Sequence, residues 1–225
     1  MPSLDRDGDV FLLDLGADEN RFNAGSVAAL EELLDEVAAA PGPRALVTTA
    51  TGKFWSNGLD LEWMGANADE VGAFVPRVHA LFARVLSLPV PAVAAIQGHC
   101  FAAGAMLALA HDFRVMRADR GFFCLPEVDI HIPFTPPMAA LIQARLSKKT
   151  AHEAMTTARR YGGEEAAAAG IVDHAVGEDE VLARATAIAA ALATKDGATL
   201  GAIKEGMYPE ALALLRDTTP VALGG

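Results

Sequence analysis

The sequence predicts an α/β fold in which strands and helices alternate and a helical stretch closes the chain. Two observations carry this. Apolar runs of strand length, VFLLDL (10–15), RALVTTA (44–50) and PAVAAIQG (91–98), recur with helix-length segments between them. That is the pattern of successive strand–helix units on a shared sheet. After residue 177 the strand-like runs stop and only helical patterns remain. A core over 1–176 and a C-terminal helical region over 177–225 follow from that change.

VFLLDL is the first strand. SVAALEELLDEVAAA (26–40) is the first helix, with Ser26 as N-cap and Pro41-Gly42-Pro43 as its stop. RALVTTA is the second strand, and TGKFWSNGLDLEWMG (51–65) is a glycine-containing loop. ADEVGAFVPRVHALFARVLSL (68–88) is helical, with Pro76 as a source of a kink. PAVAAIQG is a short buried strand and AAGAMLALAHD (102–112) a short buried helix. FRVMRA and GFFCL are strands on either side of a polar turn at Asp119-Arg120. Helices are expected over 136–146 and 149–158, with EEAAAAG (164–170) a short one ended by Gly170. IVDHAV (171–176) is a short strand, and 178–194 and 196–216 are helical. The last eight residues, TTPVALGG, are expected to fray.

The chain has 225 residues, 52% of them hydrophobic, which suits one globular domain with a helical extension. A net charge of −11 argues against a nucleic-acid partner and against adsorption to an anionic membrane. It leaves room for an anionic ligand, because local backbone N–H groups bind anions whatever the net charge. Cys100 and Cys124 lie in apolar segments and read as buried free thiols, which fits a reducing cytosol. The start, MPSLDRDGDVFLLDL, has acids where a signal peptide is basic and apolar. No apolar run reaches membrane-spanning length, and TTPVALGG carries no peroxisomal or lipidation signal. The expected location is cytoplasmic.

Three segments are candidates for chemistry. In SNGLD (56–60), Gly58 permits positive φ or close backbone approach, so the Leu59 N–H can be aimed at an oxygen. From these letters alone an ordinary strand-to-helix turn is the favoured reading, with Asp60 as an N-cap. In FAAGAMLAL (101–109), small residues at a helix start expose free N–H groups to a ligand, or simply pack the helix tightly on a strand. Glu127 follows a proline between two apolar runs, FFCLP and VDIHIPF. Burial there raises a carboxyl pKa and makes a proton shuttle; a solvated turn Glu is the bland alternative.

Other chemistries find no support. The six histidines show no HExxH spacing and the cysteines no CxxC, so a metal or redox site is not expected. His131 lies near Glu127 and reads as a half-buried structural residue. GxSxG and a Walker A loop are both absent. Trp55, Trp63 and Phe134 either line an acyl pocket or belong to the core.

Taken in order, these segments resemble the crotonase superfamily, the enoyl-CoA hydratase/isomerase family. FWSNGLDL, PAVAAIQGHCFAAGAMLALAHDFRVM, LPEVDIHIP and EEAAAAGIVDHAV each match one of its ordered motifs, and the likeness runs from about residue 8 to 205. Within the family, FWSNGLDL, HDFRVM and LPEVDI are most similar to the Δ3,Δ2-enoyl-CoA isomerases, the short peroxisomal ones of plants in particular. The resemblance implies a ClpP-like spiral of ββα units with C-terminal helices that mediate trimer contact, a homotrimer or a dimer of trimers. It implies an acyl-CoA thioester ligand and no separate cofactor or metal, coenzyme A entering as part of the substrate. Two backbone N–H groups hold the thioester oxygen in this family, and they fall on Leu59 and Ala103. Ser56, Asn57, Gly58, Asp60, Trp63, Met106 and Phe134 are the expected substrate-binding positions.

The chain departs from the family pattern in two places. Two glycines of a Gly-rich loop become Ala102 and Ala103, with Gly104 kept; an N–H donor does not need glycine, but the helix entry is more constrained. Hydratases of the family carry one Glu in the following helix and a second in the PE motif. The first falls on Met106, the second on Glu127. One carboxylate suffices to move a double bond from C3 to C2, because the same group can take a proton from C2 and return it at C4. The resemblance therefore implies a 3-enoyl-CoA to trans-2-enoyl-CoA isomerase of fatty acid β-oxidation, with Glu127 as the sole acid/base. The rivals are enoyl-CoA hydration or another crotonase-type reaction, and an inert acyl-CoA-binding protein. In the tail, Val181, Leu182, Ile188, Leu192, Leu200, Ile203, Leu212 and Leu215 form apolar faces that one short chain is not expected to bury fully.

Overall fold

The structure, a computed structural model, describes residues 1–220. It opens on a hairpin. β1 (Ser3–Asp7) pairs antiparallel with β2 (Val10–Asp14) across Gly8-Asp9, and Gly8 takes φ +59°, as such tight loops require. β1 is mostly exposed and charged, SLDRD, so it carries no apolar signal and is not anticipated from the sequence. α1 (Ala24–Ala39) follows, with Val27, Leu30, Leu34 and Val37 as its buried stripe. Its N-cap is Asn23 rather than Ser26. The Asn23 side chain accepts from the Ser26 N–H, and the Ser26 hydroxyl accepts from the Asn23 N–H, a reciprocal capping box three residues wide.

Three passes of the chain then repeat one plan. β3 (Ala45–Thr49) is followed by β4 (Phe54–Ser56) and the helices α2 (Leu61–Ala66) and α3 (Val71–Leu86). β5 (Ala92–Ile96) is followed by β6 (His99–Phe101) and α4 (Ala103–Ala110). β7 (Phe113–Arg117) is followed by β8 (Phe123–Cys124) and α5 (Pro136–Arg145). The first strand of each pass joins a six-stranded sheet and the second a three-stranded parallel sheet ordered β4-β6-β8. FRVMRA and GFFCL therefore lie in different sheets, and the polar turn between them is a step from one sheet to the other. α6 (Lys148–Thr157), α7 (Gly163–Ala168) and β9 (His174–Val176) complete the large sheet, ordered β1-β2-β3-β5-β7-β9 and parallel after its first pair. These repeated ββα units form the spiral that the resemblance implies.

The inner strands β3, β5 and β7 of the large sheet are buried on both faces, which is why they read as continuous apolar runs. Alternate residues point to opposite sides. Leu46, Ala94 and Ile96 join the main core, whereas Val47, Val93 and Ala95 face α8 (Val181–Leu192). That helix meets the sheet through Val181, Ala185, Ala189 and Ala193, a four-residue repeat of mostly small side chains that lets helix and sheet approach closely.

α9 (Gly197–Met207) and α10 (Pro209–Leu215) follow, where one helix over 196–216 is expected; the break falls at Tyr208-Pro209, since proline at the start of a helix has no N–H to give to the preceding turn. Lys204 ties α9 to the core: its Nζ donates to Leu88 O at 2.9 Å, Val90 O at 3.1 Å and Asp112 Oδ2 at 2.7 Å. Val181, Leu212 and Leu215 are buried by their own chain, unlike the expectation for the tail, whereas Leu182 and Ile203 are exposed, as are Met207 and Leu214. Cys100 and Cys124 are buried free thiols. No helix among the described residues is long and apolar enough to cross a membrane. The fraying expected of TTPVALGG concerns residues that lie largely outside the described ones.

Candidate active site

The site begins at the loop that leaves β4. Gly58 has φ +83°. Its N–H donates to Ser56 Oγ at 3.2 Å, and Ser56 Oγ donates to Asn20 O at 2.8 Å, so the buried serine holds the loop from behind. The segment at Phe22 fixes the other side: Phe22 N–H donates to Gly58 O at 2.8 Å and Asp60 N–H to Phe22 O at 2.9 Å. In this parallel bridge the residue between, Leu59, turns its N–H away from Phe22, and that N–H meets no acceptor among the described residues. Asp60 caps α2 by accepting from the Trp63 N–H at 3.1 Å. Burial would raise its pKa, but that bond, one from Asn23, and nearby Arg21 together hold it below the usual carboxylate range.

The second half of the site is the start of α4. Ala103 is its first residue, so its N–H lacks the carbonyl one turn back and has no other acceptor among the described residues. Ala102, before it, sits at φ +50° and ψ −126°, a backbone conformation close to glycine's own. Gly104 explains why one glycine is kept: a Cβ there would lie 2.6 Å from Ser56 Cβ. The two loops touch, since a Cβ on Gly58 would lie 2.8 Å from Ala102 Cβ and 3.1 Å from Ala103 N.

Leu59 and Ala103 line one cavity of about 210 Å³, together with Asn57 and an apolar wall that includes Phe101, Pro126, Ile130, Ile132 and Met138. No carboxylate lines it. A larger depression of about 350 Å³ shares Arg21 with it and runs past Asp18, Asn23 and Asp60, but neither free N–H reaches that one.

Glu127 follows Pro126 of that wall in the turn after β8. Pro126 O accepts from the N–H groups of Asp129 and Ile130, and Glu127 O from Ile132 N–H, so the turn folds back over the glutamate. Glu127 is 6% exposed and its Oε2 is buried without a hydrogen-bond partner. Burial pushes its pKa up to about 7, against a smaller lowering from its own backbone N–H. Both protonation states are then populated near neutral pH.

Of the expected site residues, the fold thus brings Leu59, Ala103 and Asn57 onto the cavity, while Glu127 is buried next in the chain to Pro126 of its wall. The rest stand off it. Ser56 braces the loop and Gly58 turns it. Trp63 stacks edge-on to Phe74 with ring centres 4.8 Å apart. Phe134 packs on the main core, and Met106, 1% exposed, is part of it. His131 is exposed, not half-buried, and takes φ +59° at the end of the glutamate's turn. Arg21, Phe101, Ile130, Ile132 and Met138 line the cavity without any sequence signal; only the alternation of Ile130 and Ile132 around His131 hints at a shared face.

The family model described as enoyl-CoA hydratase/isomerase matches residues 10–217. The chain is 37% identical to enoyl-CoA delta isomerase 2, peroxisomal, of Arabidopsis thaliana, over 98% of each chain. Among solved structures it resembles the apo form of a Mycobacterium tuberculosis enoyl-CoA isomerase, with a TM-score of 0.87 and 25% identity, covering 97% of this chain and 95% of the other. The human mitochondrial delta3-delta2-enoyl-CoA isomerase superposes with a TM-score of 0.86 at 24% identity, over 95% of this chain and 85% of that one, a likeness of fold.

Proposed function

The chain belongs to the enoyl-CoA hydratase/isomerase family, and from that premise we propose that it is an enoyl-CoA isomerase that converts 3-enoyl-CoA to trans-2-enoyl-CoA. One observation carries the reading: Leu59 and Ala103, whose backbone N–H groups have no acceptor, line a single cavity, and next in the chain to Pro126 of its wall stands Glu127, buried, with Oε2 unpaired and a pKa of about 7.

The thioester oxygen accepts from both N–H groups. Glu127, as carboxylate, removes a proton from C2; the C2–H electron pair becomes the C1–C2 bond of an enolate, whose charge the two donors stabilise. The C3–C4 π pair then takes the proton back from Glu127 at C4, the C1–C2 π pair shifts to C2–C3, and a pair on the enolate oxygen restores the thioester C1=O. Removal of one such donor costs about 3–4 kcal/mol in other enzymes, so the pair is a principal source of rate. A pKa near 7 suits a group that must act as base and then as acid. Apolar surroundings keep water from draining the proton. Hydration asks for a water held and activated for attack at C3. Where a second carboxylate would stand, the chain carries Met106, apolar and buried in the core, and isomerisation is favoured over hydration on that ground.

Trimer assembly through the C-terminal helices belongs to the same proposal and is supported by exposed Leu182, Ile203, Met207 and Leu214. Coenzyme A enters as part of the substrate, with no other cofactor. A cytoplasmic location is kept as part of the proposal, although the Arabidopsis relative is named as peroxisomal. The test is incubation with 3-enoyl-CoA and 2-enoyl-CoA thioesters, with products identified by mass and chromatography. Double-bond migration without gain of water is expected. Hydration of 2-enoyl-CoA as fast as isomerisation of 3-enoyl-CoA would overturn the isomerase assignment.

A further inference from the structure

The cavity has a floor as well as a mouth. Of the residues lining it, Ala103 and Met138 are buried, at 2% and 6% exposure, whereas Leu61 and Ile130 are 46% and 43% exposed and the others lie between. The free N–H of Ala103 and the side chain of Met138 therefore share the deep end. At about 210 Å³ the space falls short of the ~300–1,000 Å³ that hold drug-sized ligands.

Met138 stands in the first turn of α5 on a fixed mount. Thr135, the N-cap, accepts the Met138 N–H at 3.4 Å and shares a 3.0 Å hydrogen bond with Nε2 of buried His79 on α3. Beyond it Leu141 and Ile142 are fully buried in the main core. An unbranched thioether on such a mount fills the floor and is the one deep-end side chain able to yield or be trimmed.

We propose that Met138 sets the acyl-chain length accepted by the site, so that thioesters of short acyl groups are preferred. This rests on the functional reading above, which puts the thioester oxygen at Leu59 and Ala103 and so sends the acyl chain along the floor. The test is calorimetric binding of saturated, unreactive acyl-CoA thioesters from butyryl to dodecanoyl by the full-length protein and by Met138→Ala and Met138→Phe. The wild type is expected to bind butyryl-CoA more tightly than dodecanoyl-CoA. Met138→Ala should move the dodecanoyl-to-butyryl affinity ratio at least about tenfold toward the longer chain, and Met138→Phe should move it the other way. A general loss of packing would weaken all chain lengths together and leave the ratio still. If Met138→Ala does not fold, Met138→Phe decides alone. Binding with an unmoved ratio overturns the role of Met138 only. Failure of the wild type to bind any of the thioesters overturns the functional reading and this proposal with it.

Discussion

A Cβ placed on Gly58 would lie 3.1 Å from the backbone nitrogen of Ala103, so the loop after β4 and the start of α4 are in contact at the point where their free N–H groups open on the cavity. Gly58→Ala strikes this contact twice: the added methyl meets Ala102 Cβ at 2.8 Å, and φ +83° is strained for any L side chain. The two donors should move apart, and isomerisation should fall about 100-fold, as when one oxyanion donor is lost. Steady-state kinetics with a 3-enoyl-CoA check this; turnover within a few-fold of wild type would show that the pair does not act on the thioester.

Ala102 offers the converse experiment. At φ +50° and ψ −126° it carries strain of about 1–3 kcal/mol, and glycine would relieve it at an entropic cost of about 0.5–1 kcal/mol. Ala102→Gly should therefore raise unfolding stability by about 1 kcal/mol, read as a higher denaturant midpoint at unchanged slope. A lower midpoint would mean that the alanine methyl contributes more in packing than the backbone loses in strain.

Glu127 links the site to stability. Its pKa rises from an ordinary 4.5 to about 7 on folding, so the folded chain holds this proton more tightly than the unfolded chain. The stabilising contribution is complete below about pH 4.5 and is lost as pH rises through about 7. Glu127→Gln cannot ionise. Relative to wild type it should gain stability between those limits, reaching up to about 3 kcal/mol at pH 8 and none at pH 4.5. Denaturant unfolding across this range is the check, and a difference that does not change with pH would place the carboxyl in solvent.

Much of this fold is legible in the sequence because two-sided burial writes itself as apolar runs, and the large-sheet strands β2, β3, β5 and β7 stand near their expected places. What is not legible has physical causes. β1 pairs through its backbone while its side chains face water, so its letters resemble a tail. β4 and β6 are three residues each, too short for a period of two to register. The letters alone leave SNGLD as an ordinary turn, FAAGAMLAL as a tightly packed helix as readily as a donor, and Glu127 as a turn residue; the resemblance to the family is what singles out Leu59, Ala103 and Glu127. Arg21 reaches the cavity from a segment far in sequence from Ile132 and Met138, and only folding brings them together.

The tail makes its own prediction. Leu182, Ile203, Met207 and Leu214, 40–60% exposed, give the C-terminal helices an apolar surface that a closed ring of subunits would cover. Light scattering at micromolar concentration should return a mass of three or six chains. A stable monomer would remove the trimer from the account.

The central claim is that one glutamate moves the proton. Glu127→Gln keeps the side chain's shape and removes its capacity to exchange a proton, so the rate of 3-enoyl-CoA isomerisation by the purified variant is the most direct measurement. The account predicts a fall of at least about 100-fold with the affinity for a saturated acyl-CoA little changed. A folded variant that isomerises within about tenfold of the wild-type rate would contradict it.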